Sequence, residues 1–188
     1  LHPLNMYAYS KQLFDLWALR NNLFDKIAGI KYFNVFGPNE YHKSDMRSVV
    51  NKAFEQILST GKVKLFKSYN SQYPDGGQMR DFVYVKDAVD MTMFLYEHPK
   101  INGIFNCGTG EARTFEDLAK AVFSAMDKPE NIEYVDMPKE LREKYQYFTQ
   151  ADISKIRKIG YSKKFASIED AVADYVKNYL MTDDKYLK

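Results

Sequence analysis

The chain is poor in the residues that mark disulfides, metal sites and membrane spans. Its single cysteine, Cys107, excludes an internal disulfide and suits a reducing compartment. Three scattered histidines, His2, His42 and His98, give no metal-ligand spacing, so no metal is expected. No apolar run approaches the roughly 20 residues of a membrane-spanning helix, and no secretory leader is visible. A cytoplasmic protein with no membrane partner is therefore the expectation. The net charge of +2 is too small to argue for nucleic acid. Glycine is also scarce, with 9 among 188 residues. Gly108 and Gly110 begin like a dinucleotide-binding loop, but the third glycine of Gly-x-Gly-x-x-Gly falls at Arg113. The usual cradle for a dinucleotide pyrophosphate is thus not expected in these residues.

What is present describes an α/β protein. A 45% hydrophobic and 28% charged composition is that of a globular chain, and the aromatic content of 15% provides ring-rich cores and pocket walls. Asn5 is placed to cap a helix reaching about Asn22, with Leu13, Leu16, Trp17 and Leu23 as its apolar stripe. Residues 26–37 read as one buried strand ending at Gly37-Pro38, and 44–61 as a capped helix stopped by Gly61. Strands follow at 62–66, 80–85, 103–107 and 131–137, with a polar loop over 67–79. Val85, Ala88, Val89, Thr92, Met93 and Tyr96 share one helical face. Thr114 with Asp117, and Ser167 with Asp170, mark two further helix starts. The tail 182–188 is expected to fray.

Strands alternating with helices predict a mostly parallel sheet. Strands 27–33 and 103–107 have no obvious partner in the chain, which suits the back half of a doubly wound, Rossmann-like sheet accompanied by a smaller α/β substrate-binding domain. The expected division assigns 1–37 and 81–107 to the dinucleotide-binding part, and 38–80 with 108–188 to the substrate part. Because the chain starts at Leu1 directly before a helix, it reads as the C-terminal portion of a longer protein.

Tyr7 and Lys11 stand at i and i+4, so on a helix their side chains lie one above the other. The same spacing recurs at Tyr96 and Lys100, where Pro99 breaks the helix. Spacing alone leaves Tyr7 and Lys11 as either a catalytic couple or two surface residues. The catalytic option is chemically sufficient. Bringing a phenol from about 10 to neutrality takes about 4 kcal/mol, which an ammonium about 4 Å away supplies at an effective dielectric near 20.

The runs "PLNMYAYSK", "GIKYFNVFGPNEYHK", "MRDFVYVKDAVD" and "GIFNCGTGEARTF", with "KYQYFTQADISKIRKIGY" further on, resemble in order and spacing the extended short-chain dehydrogenase/reductases that act on nucleotide sugars. The resemblance covers essentially the whole chain. It implies an isomerase, an epimerase that inverts a carbinol carbon of an ADP-sugar by transient oxidation to a ketone and re-reduction with bound NADP (NAD being the alternative), in lipopolysaccharide synthesis. By this resemblance Tyr7 is the catalytic tyrosine and Lys11 its partner and a cofactor contact. Lys43 is the second acid/base residue, also near cofactor; otherwise it is a solvated loop lysine. Asn34 contacts substrate and Val35 cofactor. Arg80 contacts the nucleotide diphosphate, its fork suiting two phosphate oxygens; otherwise it is an edge-strand arginine in a surface ion pair. Tyr145 and the segment Phe66, Lys67, Ser68 and Tyr69 line the substrate.

Two departures stand out. The family pattern after the second lysine is Gly-Ser-Met, whereas here it is Ser44-Asp45-Met46, and Lys52 replaces a histidine. Asp45 and Lys52 are retained as substrate-side residues. The resemblance further implies a homo-oligomer. Two rivals remain at this point: another nucleotide-sugar epimerase or dehydratase, such as a UDP-hexose 4-epimerase, and an inactive substrate-binding or assembly module.

Overall fold

The computed structural model describes Pro3 and residues 5–187; Leu1, His2, Leu4 and Lys188 lie outside them. Helix α1 (Met6–Arg20) starts where Asn5 Oδ1 accepts a hydrogen bond from the Ala8 N–H at 2.8 Å. Its expected apolar stripe is not covered: only Ala18 is buried, while Leu13, Phe14, Leu16, Trp17 and Leu19 are exposed.

The segment read as one strand folds as two. β1 (Ala28–Tyr32) pairs in parallel with β5 (Gly103–Cys107), from Ala28 opposite Gly103 to Tyr32 opposite Cys107. The two strands that lacked partners in the sequence therefore pair with each other. At Phe33, whose N–H donates to the Cys107 carbonyl at 2.9 Å, the chain changes partners. β2 (Asn34–Phe36) then runs parallel to β4 (Met79–Tyr84). On its other side β4 pairs antiparallel with β6 (Ala112–Thr114), a short strand not foreseen from the sequence. β3 (Val63–Phe66) and β7 (Ile132–Val135) form a separate parallel pair.

The helices show where local signals suffice. α2 (Val49–Thr60) is capped by Ser48 rather than Ser44 because residues 41–46 form a 3-10 turn; it ends at Gly61, whose φ of 70° is the left-handed conformation of a helix stop. α4 (Phe115–Ala125) carries the expected capping box of Thr114 and Asp117, and buries Leu118, Ala119, Val122 and Phe123. α7 (Ile168–Tyr175) is capped by Ser167 and buries Ile168, Ala171, Val172 and Tyr175. α5 (Lys139–Arg142) and α6 (Ser154–Lys158) are short. α3 (Val85–Glu97) differs from expectation: Asp87, Ala88, Met91 and Leu95 face inward, whereas Val89, Met93 and Tyr96 are exposed. The inward Asp87 accepts from the Ala166 N–H at 2.9 Å, so a polar side chain holds a place that apolar counting gives to others.

Two cores result. One packs α2, β3, α4 and α7 around Phe36, Phe82 and Tyr84; the other gathers Val83, Met91, Phe105, Cys107, Ile156 and Tyr161. β4 serves both by alternation, sending Phe82 and Tyr84 one way and Val83 the other. Just before them sits Asp81, fully buried. Its carboxylate accepts from Thr109 N–H at 2.7 Å, Thr109 Oγ1 at 2.8 Å, Gly110 N–H at 2.9 Å and Ala151 N–H at 3.0 Å. A Cβ on Gly108 would stand 2.6 Å from Ala151 Cβ and 2.9 Å from Asp81 Oδ2, so only glycine lets this turn close on the carboxylate. The Gly108–Gly110 motif is thus spent on an internal anion.

Two outcomes follow for stability. Asp81→Ala leaves one buried and two partly buried amides unpaired and is expected to lower unfolding free energy by about 3 kcal/mol, read from urea midpoints. Asp174 is the second case. Burial opposes its ionisation, but hydrogen bonds from Lys86, Tyr84 and Asn178 outweigh that and hold its carboxyl below the ordinary range. Its contribution is therefore fully present above the ordinary aspartate value of 3.8 and is lost as pH falls below that value. Urea midpoints measured from pH 5 downward should fall less steeply for Asp174→Asn than for the parent chain.

Candidate active site

The expected residues fall into three clusters, one on α1, one on β4 and one after β2. The first is on α1. Asn5 starts the helix so that Tyr7 and Lys11 lie on one face, with the Lys11 ammonium over the Tyr7 ring, 5.1 Å from its centroid. The amine meets the ring face rather than the hydroxyl. Both residues border a groove of about 730 Å³ between α1 and β1, whose walls include Phe14, Phe24, Ile30, Tyr32 and Ile104.

The second cluster lies on β4. Arg80 is partly buried, with its guanidinium carbon 5.7 Å from the Phe115 ring centroid and 5.4 Å from that of Tyr145. Its guanidinium donates to the Met79 carbonyl at 2.8 Å, and among the described residues no carboxylate pairs with it. Burial pulls the guanidinium below its usual range, although it remains charged; burial also raises the Tyr145 phenol, which Arg80 partly offsets. Tyr145 arrives here because its segment docks on the start of β4: Met79 N–H donates to the Tyr147 carbonyl at 2.8 Å, and Thr149 N–H to the Met79 carbonyl at 3.3 Å. Phe66, ending β3, meets Tyr145 edge-on at 6.5 Å. Phe66, Phe115, Tyr145, Gln78, Leu65, Lys64 and Val49 enclose a cavity of about 240 Å³.

The residues after Phe66 are held by contacts of the loop and its surroundings. Lys67 pairs with Asp136 at 3.1 Å. The Ser68 N–H donates to Asp75 Oδ1 at 2.6 Å, and its hydroxyl to the Asn70 carbonyl at 2.8 Å. The Tyr69 N–H donates to the Tyr147 hydroxyl at 3.0 Å, while the Arg142 guanidinium lies 3.7 Å from its ring centroid.

The third cluster follows β2. Asn34 and Val35 sit opposite Phe82 and Val83 of β4, near the carboxyl end where ligands bind in such sheets. Lys43 is exposed in the turn Tyr41–Met46, and its N–H donates to the Glu40 carbonyl at 3.0 Å. Lys52 donates to the Asp45 backbone carbonyl, so the two departures from the family pattern contact each other. No hydrogen bond or ring contact among the described residues joins Lys43 to Tyr7 or Arg80. Nothing in the sequence signals that Phe115 and Gln78 line the cavity with Phe66 and Tyr145; Phe115 reads as an ordinary core position, and its place beside Arg80 is revealed by the fold.

Ser44, beside Lys43, has φ 47° and ψ −121°, a conformation that favours glycine. Replacing it with the glycine of the family pattern is expected to raise stability by about 1 kcal/mol, seen as a higher urea midpoint.

Comparisons with known proteins show the family and the fold. A model of the NAD dependent epimerase/dehydratase family matches residues 1–108. The ADP-L-glycero-D-manno-heptose-6-epimerase of Nitratidesulfovibrio vulgaris is 56% identical over 187 residues, and that of Fusobacterium nucleatum 48% over 194. Each alignment covers all of this chain and 58% of the relative, so the chain spans little more than half the length of these curated relatives. The crystal structure of the Helicobacter pylori ADP-L-glycero-D-manno-heptose-6-epimerase superposes with a TM-score of 0.78 at 26% identity, over 94% of this chain and 52% of that one.

Proposed function

Because the chain belongs to the NAD dependent epimerase/dehydratase family, we propose that its complete gene product inverts C6 of ADP-glycero-manno-heptose, the sugar for which the two curated relatives are named. The observation that carries this reading is the Arg80 guanidinium, held between two rings with no acidic partner among the described residues. An arginine left unpaired in a half-buried, ring-lined place suits a diphosphate, whose two oxygens match its fork. Phe115 and Tyr145, the two rings beside Arg80, also wall a neighbouring cavity with Phe66, which suits part of a nucleotide sugar.

Inversion at an unactivated carbinol needs a proton moved on each face of the carbon. Tyr7 holds or releases the proton on one face, and Lys43 does so on the other. Lys11 keeps positive charge beside the phenol. A nicotinamide cofactor, NADP by preference over NAD, supplies the hydride acceptor and donor when bound. The phenol and ammonium on α1 suit the ribose and carbinol hydroxyls of such a site, and Val35 and Lys43 are assigned to the same cofactor by family pattern. The pyrophosphate end does not find its donors here, since the Gly108–Gly110 turn already gives its amides to Asp81. Asn34, Asp45, Lys52 and the segment 66–69 complete the sugar side.

In this reading residues 1–37 and 81–107 belong to the cofactor-binding part, and 38–80 with 108–188 to the substrate part. The exposed apolar face of α1 and the open edge of β1 meet the further length that the relatives possess, or a second copy in a homo-oligomer. Among the described residues no helix is long and apolar enough to cross a membrane, which is compatible with a cytoplasmic biosynthetic role in lipopolysaccharide heptose supply.

Offering the complete gene product ADP-glycero-manno-heptose and UDP-glucose in parallel tests the substrate. Epimer formation from the heptose alone is expected, and conversion of UDP-glucose instead would overturn the reading. Tyr7→Phe should lower kcat by about 100-fold or more while leaving the thermal midpoint unchanged, and a wild-type rate would remove Tyr7 from the chemistry.

A further inference from the structure

The turn that carries Lys43 is tied down from both sides. Glu40, which opens it, is 5% exposed. One carboxylate oxygen accepts from the Ser48 N–H at 2.6 Å. The other accepts from the Ser48 hydroxyl at 2.6 Å and from the Tyr175 phenol at 2.9 Å. Tyr175 is fully buried in α7 and itself accepts from Asn51 Nδ2 of α2 at 3.1 Å. Burial pushes this phenol well above its ordinary range, so it stays protonated and donates to Glu40. Residues 40 and 48, the two ends of the turn, are thereby fastened to each other and to two helices of the core.

A second tie lies outside. The Tyr41 hydroxyl donates to the Lys185 carbonyl at 2.8 Å, and its ring meets Tyr186 edge-on at 5.4 Å. Asn39 exchanges two hydrogen bonds with the Leu187 backbone, at 3.3 and 3.0 Å. The segment expected to fray therefore lies across the turn. Between the ties, Asn39 and Ser44 both hold positive φ, at 70° and 47°. Backbone in this region persists only where its surroundings enforce it.

Glu40 has no cationic partner within ion-pair distance among the described residues. A buried carboxylate is costly unless its lone pairs are satisfied, and an apolar side chain would fill the same space with less penalty. Packing alone does not call for an acid here; fixing the two ends of one turn does. We propose that Glu40 is a positioning residue for Lys43: through Ser48 and Tyr175 it gives the Lys43 amine a single station, and residues 183–187 act as an outer strap on the same turn. The proposal rests on the reading of Lys43 as an acid/base group.

The test uses the complete gene product with four changes made singly: Lys43→Ala, Tyr175→Phe, Glu40→Gln and truncation after Thr182. Tyr175→Phe keeps the packing of the ring but removes the donor to Glu40. It should lower kcat about tenfold or more with KM changed less than about twofold, the pattern of a misplaced reacting group. Truncation after Thr182 removes no core residue and should act in the same direction. Glu40→Gln replaces one of the two accepting oxygens with a donor and should also lower kcat, because contacts to Ser48 or Tyr175 are lost. Combined with Lys43→Ala, Tyr175→Phe should have less than about a twofold further effect on kcat, since no amine is left to position.

A lower thermal midpoint with unchanged kcat in both Tyr175→Phe and the truncation would make the network purely structural and overturn the proposal. A wild-type kcat in Lys43→Ala would overturn the acid/base reading, and the positioning role would fall with it. The two failures are told apart by which variant keeps its rate.

Discussion

One buried carboxylate organises the centre of this protein. Asp81 is enclosed by backbone donors from the 108–110 turn and from residue 151, and those contacts bring two distant stretches of chain onto β4. A carboxylate in such a place needs every donor it has, because the desolvation of an unsatisfied anion would exceed the stability of most domains. The strand that bears it supplies side chains to both hydrophobic cores. Moving β4 would therefore disturb both cores and the turn together.

The site inherits its order from that arrangement. Arg80 precedes Asp81, so the fixed strand sets its direction, and the segment containing Tyr145 pairs with the first residue of the same strand. Aromatic rings on either side limit the water that can screen the guanidinium, which strengthens its attraction for an anion. β2, the neighbour of β4, leads into the Lys43 turn, where Glu40 repeats the device on a smaller scale. Both sites use an uncompensated buried acid to hold a backbone turn beside an exposed or half-buried cation. The α1 couple stands apart from this frame, on a helix whose apolar side chains are exposed, and its final setting depends on what covers them.

Much of the local structure was legible in the sequence. The caps at Asn5, Thr114 and Ser167 were readable because each is a contact between residues three apart, and Gly61 because a left-handed stop favours one residue type. The inward faces of α4 and α7 followed from apolar period. The face of α3 did not, since Asp87 turns inward to meet a backbone donor that lies 79 residues away. Pairing of β1 with β5 was invisible for the same reason: a short apolar strand carries no record of its partner. In the site, the order of motifs suggested Tyr7, Lys11, Lys43, Arg80 and Tyr145, while their surroundings had to come from the fold. Asp81 and Glu40 look like ordinary surface acids until their donors, far off in the chain, are seen. Lys67, expected on the substrate side, pairs with Asp136, a partner that the sequence likewise does not reveal.

Asp81 locks β4 to the 108–110 turn and to residue 151, and native-state hydrogen exchange tests this most directly. The amides of Thr109, Gly110 and Ala151, all in connecting segments, are predicted to exchange only through the opening that releases the central residues of β4. Rapid exchange of those three amides while Phe82 and Val83 stay protected would show that the carboxylate does not hold the turn, and would contradict the account.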